Sequence, residues 1–236
     1  MATVITNDFV VTSGDISLFI NDLRNSFSFT NYDSETGKLY ITSNTYVQLS
    51  CNASSALTVA YGNSNGELKT GTLSSASHLY YEIIKSVSGD IAVRFNKGVL
   101  SENNSLVFAI VKTKNIANEE SYAFYIPSVN LNSTIAQNSS NMGAIIMIAD
   151  DVTTYLPTQM LTSVITGSTS PSYTNFIFGY NTNAKIDAMI RIFSTYSEYI
   201  SVNARLVLCS KSAHNGPTII NNKNYYCITF LALLDE

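Results

Sequence analysis

Apolar and polar residues alternate with a period of two through most of this chain, the spacing of strands that bury one face. Val47-Gln48-Leu49-Ser50-Cys51 sets the pattern, and Leu57, Val59 and Tyr61 repeat it after a turn-like Asn52 to Ser55. Leu79, Tyr81 and Ile83 follow, then Ile91, Val93 and Phe95 beyond the turn residues Ser88-Gly89-Asp90. Leu106 to Val111 is apolar on both faces, which predicts a central strand covered on two sides. Tyr122, Phe124 and Ile126 complete the first half, which stops at Pro127.

The second half has the same texture. Met142 to Ala149 is apolar on both faces, and Ile186, Ala188, Ile190 and Ile192 alternate. Arg205 to Cys209 and Tyr225 to Leu234 are read as the last two strands, with Asn215-Gly216 as the hairpin signal between them. One segment departs from this period. Ile16, Phe19, Ile20 and Leu23 fall at i, i+3, i+4 and i+7, and predict a short amphipathic helix near 15–25 with Ser13 or Asp15 as its cap. A second short helix is expected after Pro157, on Met160, Leu161 and Val164.

These elements predict a mainly β protein, an antiparallel β-sandwich of jelly-roll-like architecture. Ser128 to Asn141 is rich in Asn and Ser and carries no charge. It divides the chain into a β domain over 1–127, a linker or long loop over 128–141 and a second β domain over 142–236. A single domain of 236 residues is the alternative reading.

Composition narrows the function classes. Charged residues make up 13% of the chain, against about 25% in ordinary soluble domains. Ser, Thr and Asn fill about a third of the positions, well above average usage. A hydrophobic share of 45% excludes disorder, which needs low hydrophobicity and high net charge. Formal net charge is -4, and no Lys or Arg occurs between Lys114 and Lys185, so the chain lacks the cationic stripe of a nucleic-acid binder. No apolar run reaches the about 20 residues of a membrane-spanning helix, so membrane insertion is not expected. The start Met1-Ala2-Thr3 does not read as a signal peptide. Three cysteines, an odd number, argue against a disulfide framework and are expected as buried thiols. Cys209 and Cys227 lie in runs expected to pair as neighbouring strands.

Candidate chemistry is sparse. Gly62-Asn63-Ser64-Asn65-Gly66 fits the G-x-S-x-G nucleophile elbow, but no helical pattern follows it, and Asn65-Gly66 reads better as a hairpin tip. The two histidines, His78 and His214, fall in a strand and beside a turn. Asp150-Asp151 is the sharpest carboxylate pair, yet neighbours on an extended segment diverge, so a turn or cap is expected there. Asp33 and Glu35 belong to a solvated turn with Gly37. No catalytic residue, cofactor or metal site is expected. Tyrosine stands out: 15 of them with no Trp. The pairs Tyr80-Tyr81 and Tyr225-Tyr226, and the close Tyr196 and Tyr199, put rings on both strand faces, where outward ones supply contact area for a neighbouring subunit or a glycan.

The unprocessed Met1-Ala2-Thr3 start, the Ser/Thr/Asn/Tyr-rich strands, the neutral connections such as Thr166 to Asn175 and the scarcity of catalytic residue types together resemble the structural proteins of tailed-bacteriophage virions. That resemblance is one of texture over the whole chain. It implies a non-enzymatic tail, baseplate, fibre, neck or capsid-accessory component, assembled in the host cytoplasm into the virion. Its partners would be other copies of itself and other virion proteins. The alternative is a receptor- or carbohydrate-binding module that recognises a host surface glycan or protein.

Overall fold

The computed structural model describes residues 1–52, 56–64, 66–74, 77–97, 105–114, 120–126, 144–149, 152–160, 176–178, 189–190, 206–208, 216–220, 222–228 and 231–235. Within them the chain is mainly β, laid out as three sheets with one α-helix. The first strand, β1 (Thr3–Val10), leads through a short 3-10 turn into α1 (Ser17–Ser26). The chain then builds a five-stranded meander from β2 (Asn31–Asp33), β3 (Lys38–Tyr40), β4 (Thr45–Asn52), β5 (Ala56–Asn63) and β6 (Gly66–Leu73).

It returns to the first sheet with β7 (His78–Lys85), which pairs antiparallel with β1. Hairpins add β8 (Ile91–Lys97), β9 (Ser105–Lys114) and β10 (Glu120–Ile126) in order. The sheet runs on through β11 (Ala144–Ala149), β12 (Val152–Met160) and β13 (Phe176–Phe178), giving eight strands. Because β10 pairs with β11, this sheet continues across residues 128–141, which lie outside the described residues. A third sheet holds β14 (Met189–Ile190), β15 (Leu206–Leu208), β16 (Gly216–Ile220), β17 (Lys223–Ile228) and β18 (Leu231–Leu234), in the order β14-β15-β18-β17-β16.

The first two sheets share one core as a sandwich, and α1 packs against β1 and β7. Its apolar stripe lies where the heptad spacing places it: Phe19, Ile20 and Leu23 are buried, and Ile16 packs at the margin as the residue preceding the first turn. The N-cap position is Ile16, not Ser13 or Asp15, and it makes no side-chain cap bond; Asp15, one residue earlier, accepts a 3.0 Å bond from the Ser17 N–H. The Ser17 bonds hold the Asp15 carboxyl below its usual range. Phe19 meets Tyr81 edge-on at 4.9 Å and Phe95 at 4.8 Å between ring centroids, so the helix is seated on the central sheet by an aromatic cluster. The Tyr81 hydroxyl then donates to the Asp22 carboxylate at 2.6 Å, tying helix to strand.

Turn chemistry fixes the hairpins. Gly89 at φ +83 closes β7 onto β8, while the Ser86 and Asp90 backbones bond at 2.9 Å. At the β2–β3 turn, Asp33 accepts from the Glu35 N–H at 2.9 Å and from the Thr36 hydroxyl at 2.6 Å, an Asx turn completed by Gly37 at φ +71. A side chain at Gly37 would sit 2.5 Å from the Leu49 carbonyl oxygen, so both the angle and the space require glycine.

Three expectations for the second half need correction. Pro157 does not open a helix: it lies in β12, opposite Ala144. It marks the point where β12 changes partner, from β11 up to Pro157 to β13 at Thr158, so its missing N–H falls at a break in the ladders. Leu161 and Val164 lie outside the described residues. Tyr225 to Leu234 is two strands, β17 and β18, and a further strand, β16, begins at Gly216. The hairpin turn is at Asn222 (φ 60), not at Asn215-Gly216, because Ile220 pairs with Lys223. Finally, the run leading to Cys209 does pair with the run Tyr225 to Leu234, but through β18, so β17, which carries Cys227, lies one strand away from β15. Cys51, at the end of β4, is free and only half-buried, and burial pushes its thiol up to about 11.

Candidate interaction surface

Strand alternation gives the central sheet two distinct faces. Leu79, Tyr81 and Ile83 on β7, Ile91, Val93 and Phe95 on β8, and Leu106, Phe108 and Ile110 on β9 all enter the sandwich core. The opposite face is also buried along these strands: Ile84, Ala92, Val107, Ala109 and Val111 have no exposed surface. The doubly apolar run Leu106 to Val111 is thus a central strand covered on both sides.

That second face carries charge. Glu82 and Arg94 are cross-strand partners on β7 and β8, and the Arg94 guanidinium donates to the Glu82 carboxylate at 2.5 Å with both side chains buried. Asn96 and Ser105, the next pair along that face, are buried and hydrogen-bonded to each other. On this face β18 packs against β8, and burial, then the Glu82 charge, raises the Tyr226 hydroxyl of β17 above the usual range. The third sheet therefore meets this face. None of these four polar positions was a sequence candidate. Their signal was the turn itself: pairing Lys85 with Ile91 around Ser88-Gly89-Asp90 sets Glu82 opposite Arg94 three steps out.

The six tyrosines divide by strand face. Tyr81 is fully enclosed in the core and Tyr225 is almost so, which removes both as outward contact residues. Tyr80 is half-buried on the other face of β7, its ring 5.0 Å from that of His78. Tyr226 is half-buried and lines a surface groove with Met1, Ala2, Pro217, Ile219 and Asn224. Tyr196 and Tyr199 lie outside the described residues.

The enzyme-like segment is a hairpin tip. Asn63 pairs with Gly66, Ser64 is exposed, and β6 follows where a nucleophile elbow needs a helix. His78 lies in the other sheet, paired with Asp8. His214 and the Asp150-Asp151 pair lie outside the described residues.

One feature of the sheets was not read from the sequence at all: the outer edge of β1, with which no strand pairs among the described residues. Its apolar residues come in doublets, Val4-Ile5 and Phe9-Val10, which hide the period of two. This strand ends the eight-stranded sheet and has eight residues without Lys, Arg or Pro. The other described edge strands are shorter or carry Lys or Pro: β6 has Lys69, β16 has Pro217, β2 and β13 have three residues each, and β14 has two. The Val11 N–H donates to the Ser77 carbonyl at 3.0 Å, one step beyond the Val10–His78 pair. Bonding and non-bonding pairs alternate in an antiparallel ladder. Val4, Thr6, Asp8 and Val10 consequently aim their backbone groups away from β7. Two local bonds agree: the Asp8 N–H turns to the Asn7 side chain at 3.0 Å, and the Val10 carbonyl accepts from the Ser13 hydroxyl at 2.7 Å.

Among known proteins, no family model, no curated protein and no solved structure matches this chain. Among the described residues, no helix is long and apolar enough to cross a membrane.

Proposed function

We propose that this chain is a non-enzymatic structural component of a phage or virus particle, of the tail, baseplate, neck or capsid-accessory kind, which acts by assembling into a homo-oligomer. The observation that carries this reading is the long β1 edge, free of cations and proline, on a chain of only 13% charged residues. An open edge of that kind templates pairing with another chain, and proteins that stay monomeric usually blunt it with Lys, Pro or a bulge. Low surface charge acts in the same direction, because little repulsion keeps copies apart.

Exposed apolar side chains supply further contact area. Val4 and Val10 flank the edge, and Ile219 projects from β16 beside the Tyr226 groove. The test is multi-angle light scattering on the purified chain over a wide concentration range. A stable oligomer is expected, and a monomer at every concentration overturns the reading. Mass spectrometry of purified particles from an infected host then tests the virion role, which fails if the chain is missing from them.

A further inference from the structure

We infer that β1 is the self-association strand: it pairs antiparallel with β1 of a second copy about a two-fold axis through Asn7, joining two eight-stranded sheets edge to edge. The inference rests on the assembly reading above and names the surface that carries it.

The register follows from geometry. The edge-facing backbone groups belong to Val4, Thr6, Asp8 and Val10, so hydrogen-bonded pairs across the axis must join members of that set. A two-fold axis normal to the sheet keeps each side chain on its own face, so paired residues must share parity. Centring on Asn7 meets both conditions, and sets Val4 against Val10, Thr6 against Asp8 and Ile5 against Phe9 of the second copy.

Side-chain chemistry chooses this centre over its neighbours. Val4 is 37% exposed and Val10 49%, and here each covers the other. The strand's one charge, Asp8, meets a threonine hydroxyl. Centring on Thr6 would place Asp8 against Val4, and centring on Asp8 would set two carboxylates face to face, which is destabilising. Ile5, half-buried at the margin of the core, gains the Phe9 ring beside it. The one local cost is that the Asp8 N–H leaves the Asn7 side chain to bond Thr6 of the second copy.

Disulfide trapping tests the register. Hydrogen-bonded antiparallel partners have Cα atoms about 5.5 Å apart, within disulfide reach. Within one chain, positions 4 and 10 are about 20 Å apart along the strand and cannot bridge. The full-length Val4→Cys/Val10→Cys double variant is therefore expected to give a covalent dimer under mild oxidation. Neither single variant should do so, since neither places cysteine opposite cysteine. If the double variant stays uncrosslinked while light scattering still finds the wild-type oligomer, the β1 pairing is overturned and the assembly reading stands. If the chain is monomeric throughout, both fall. A Val4→Lys/Val10→Lys variant with an unchanged circular dichroism spectrum provides a second test. Its scattering mass should fall by at least half, and an unchanged mass overturns the pairing.

Discussion

Along β7, β8 and β9 the two faces of the eight-stranded sheet are both dry, but they are built from different chemistry. Toward the second sheet stand Phe9, Tyr81, Phe95 and Phe108, with Phe19 of α1 packed ring against ring on them. Away from it, the same strands bury Glu82, Arg94, Asn96 and Ser105 among small aliphatic residues. On the aromatic face, stability comes from removing large rings from water, and any contact of similar volume would serve. On the polar face each group is stable only with its partner, because an unpaired charge in a dry layer is costly. The first face therefore supplies cohesion, and the second constrains how the third sheet is placed.

The largest expected effects set these two faces against each other. Phe108→Ala opens a cavity on the aromatic face and should cost about 3–5 kcal/mol. Arg94→Met should cost a similar amount, about 3–5 kcal/mol, by leaving Glu82 buried without its partner. The Glu82→Met/Arg94→Met double variant distinguishes the mechanisms, since it should recover most of the Arg94→Met loss. Urea unfolding of these variants and of the Glu82→Met single variant provides the measurement. If the double variant is as unstable as the sum of the singles, the polar face works by volume like its opposite, and the contrast collapses.

A smaller effect probes a polar anchor inside the aromatic face, the Tyr81–Asp22 bond. Tyr81→Phe keeps the ring but removes the bond to the Asp22 carboxylate, which should cost about 1.5–3 kcal/mol. It should also change the alkaline limb of stability. Burial, then the Asp22 carboxylate, raises the Tyr81 hydroxyl above its ordinary value of 10.0. A raised group stabilises the fold fully below its unfolded value and loses that contribution as pH rises through the folded one. Wild-type stability should therefore fall as pH rises above 10, and more steeply than that of Tyr81→Phe. Parallel alkaline limbs would remove Tyr81 from the account.

The contrast between the faces also explains what could be read from the chain alone. The aromatic face was legible because β7 and β8 write it as a clean period of two, and the helix writes it at heptad spacing from Ile16 to Leu23. Leu106 to Val111 was legible because burial on both faces leaves no polar residue in the run. Glu82 and Arg94 were not, since a charge in an alternating strand has the pattern of a solvent-facing residue, and only the third sheet makes it a buried one. The β1 edge escaped for a related reason: pairing directions are backbone properties, and its doublets Val4-Ile5 and Phe9-Val10 blur the side-chain period. Asn215-Gly216 and Pro157 misled because their local preferences yielded to the strand pairing around them.

Below these effects lies the half-buried thiol of Cys51, near the end of β4 at the margin of the core. Burial raises it from 9.0 to about 11, so its thiolate is scarce near pH 9, where an ordinary cysteine is half ionised. Alkylation of the native chain at pH 9, corrected by subtracting the Cys51→Ser variant, should be slower than in urea and approach the unfolded rate only near pH 11. Equal rates at pH 9 would place Cys51 in open solvent.

The smallest expected effect lies outside both faces, at the β2–β3 turn, and checks that the pH response of the aromatic face is not a general property of the chain. The Thr36 hydroxyl, with the Thr36 and Glu35 N–H groups, holds the Asp33 carboxyl below its ordinary value of 3.8. A depressed carboxyl contributes stability that is complete above its unfolded value and is lost as pH falls through the folded one. The Asp33 contribution should therefore be present at neutral pH and fade only below 3.8. Asp33→Asn keeps an oxygen for the turn but cannot titrate, so its stability should follow wild type at neutral pH with a slightly lower plateau, then converge on it in acid. Because the group is exposed, the difference should be small, and a thermal melt series from neutral pH into acid would resolve it. Curves that diverge as pH falls would reverse the sign and assign the depressed carboxyl elsewhere.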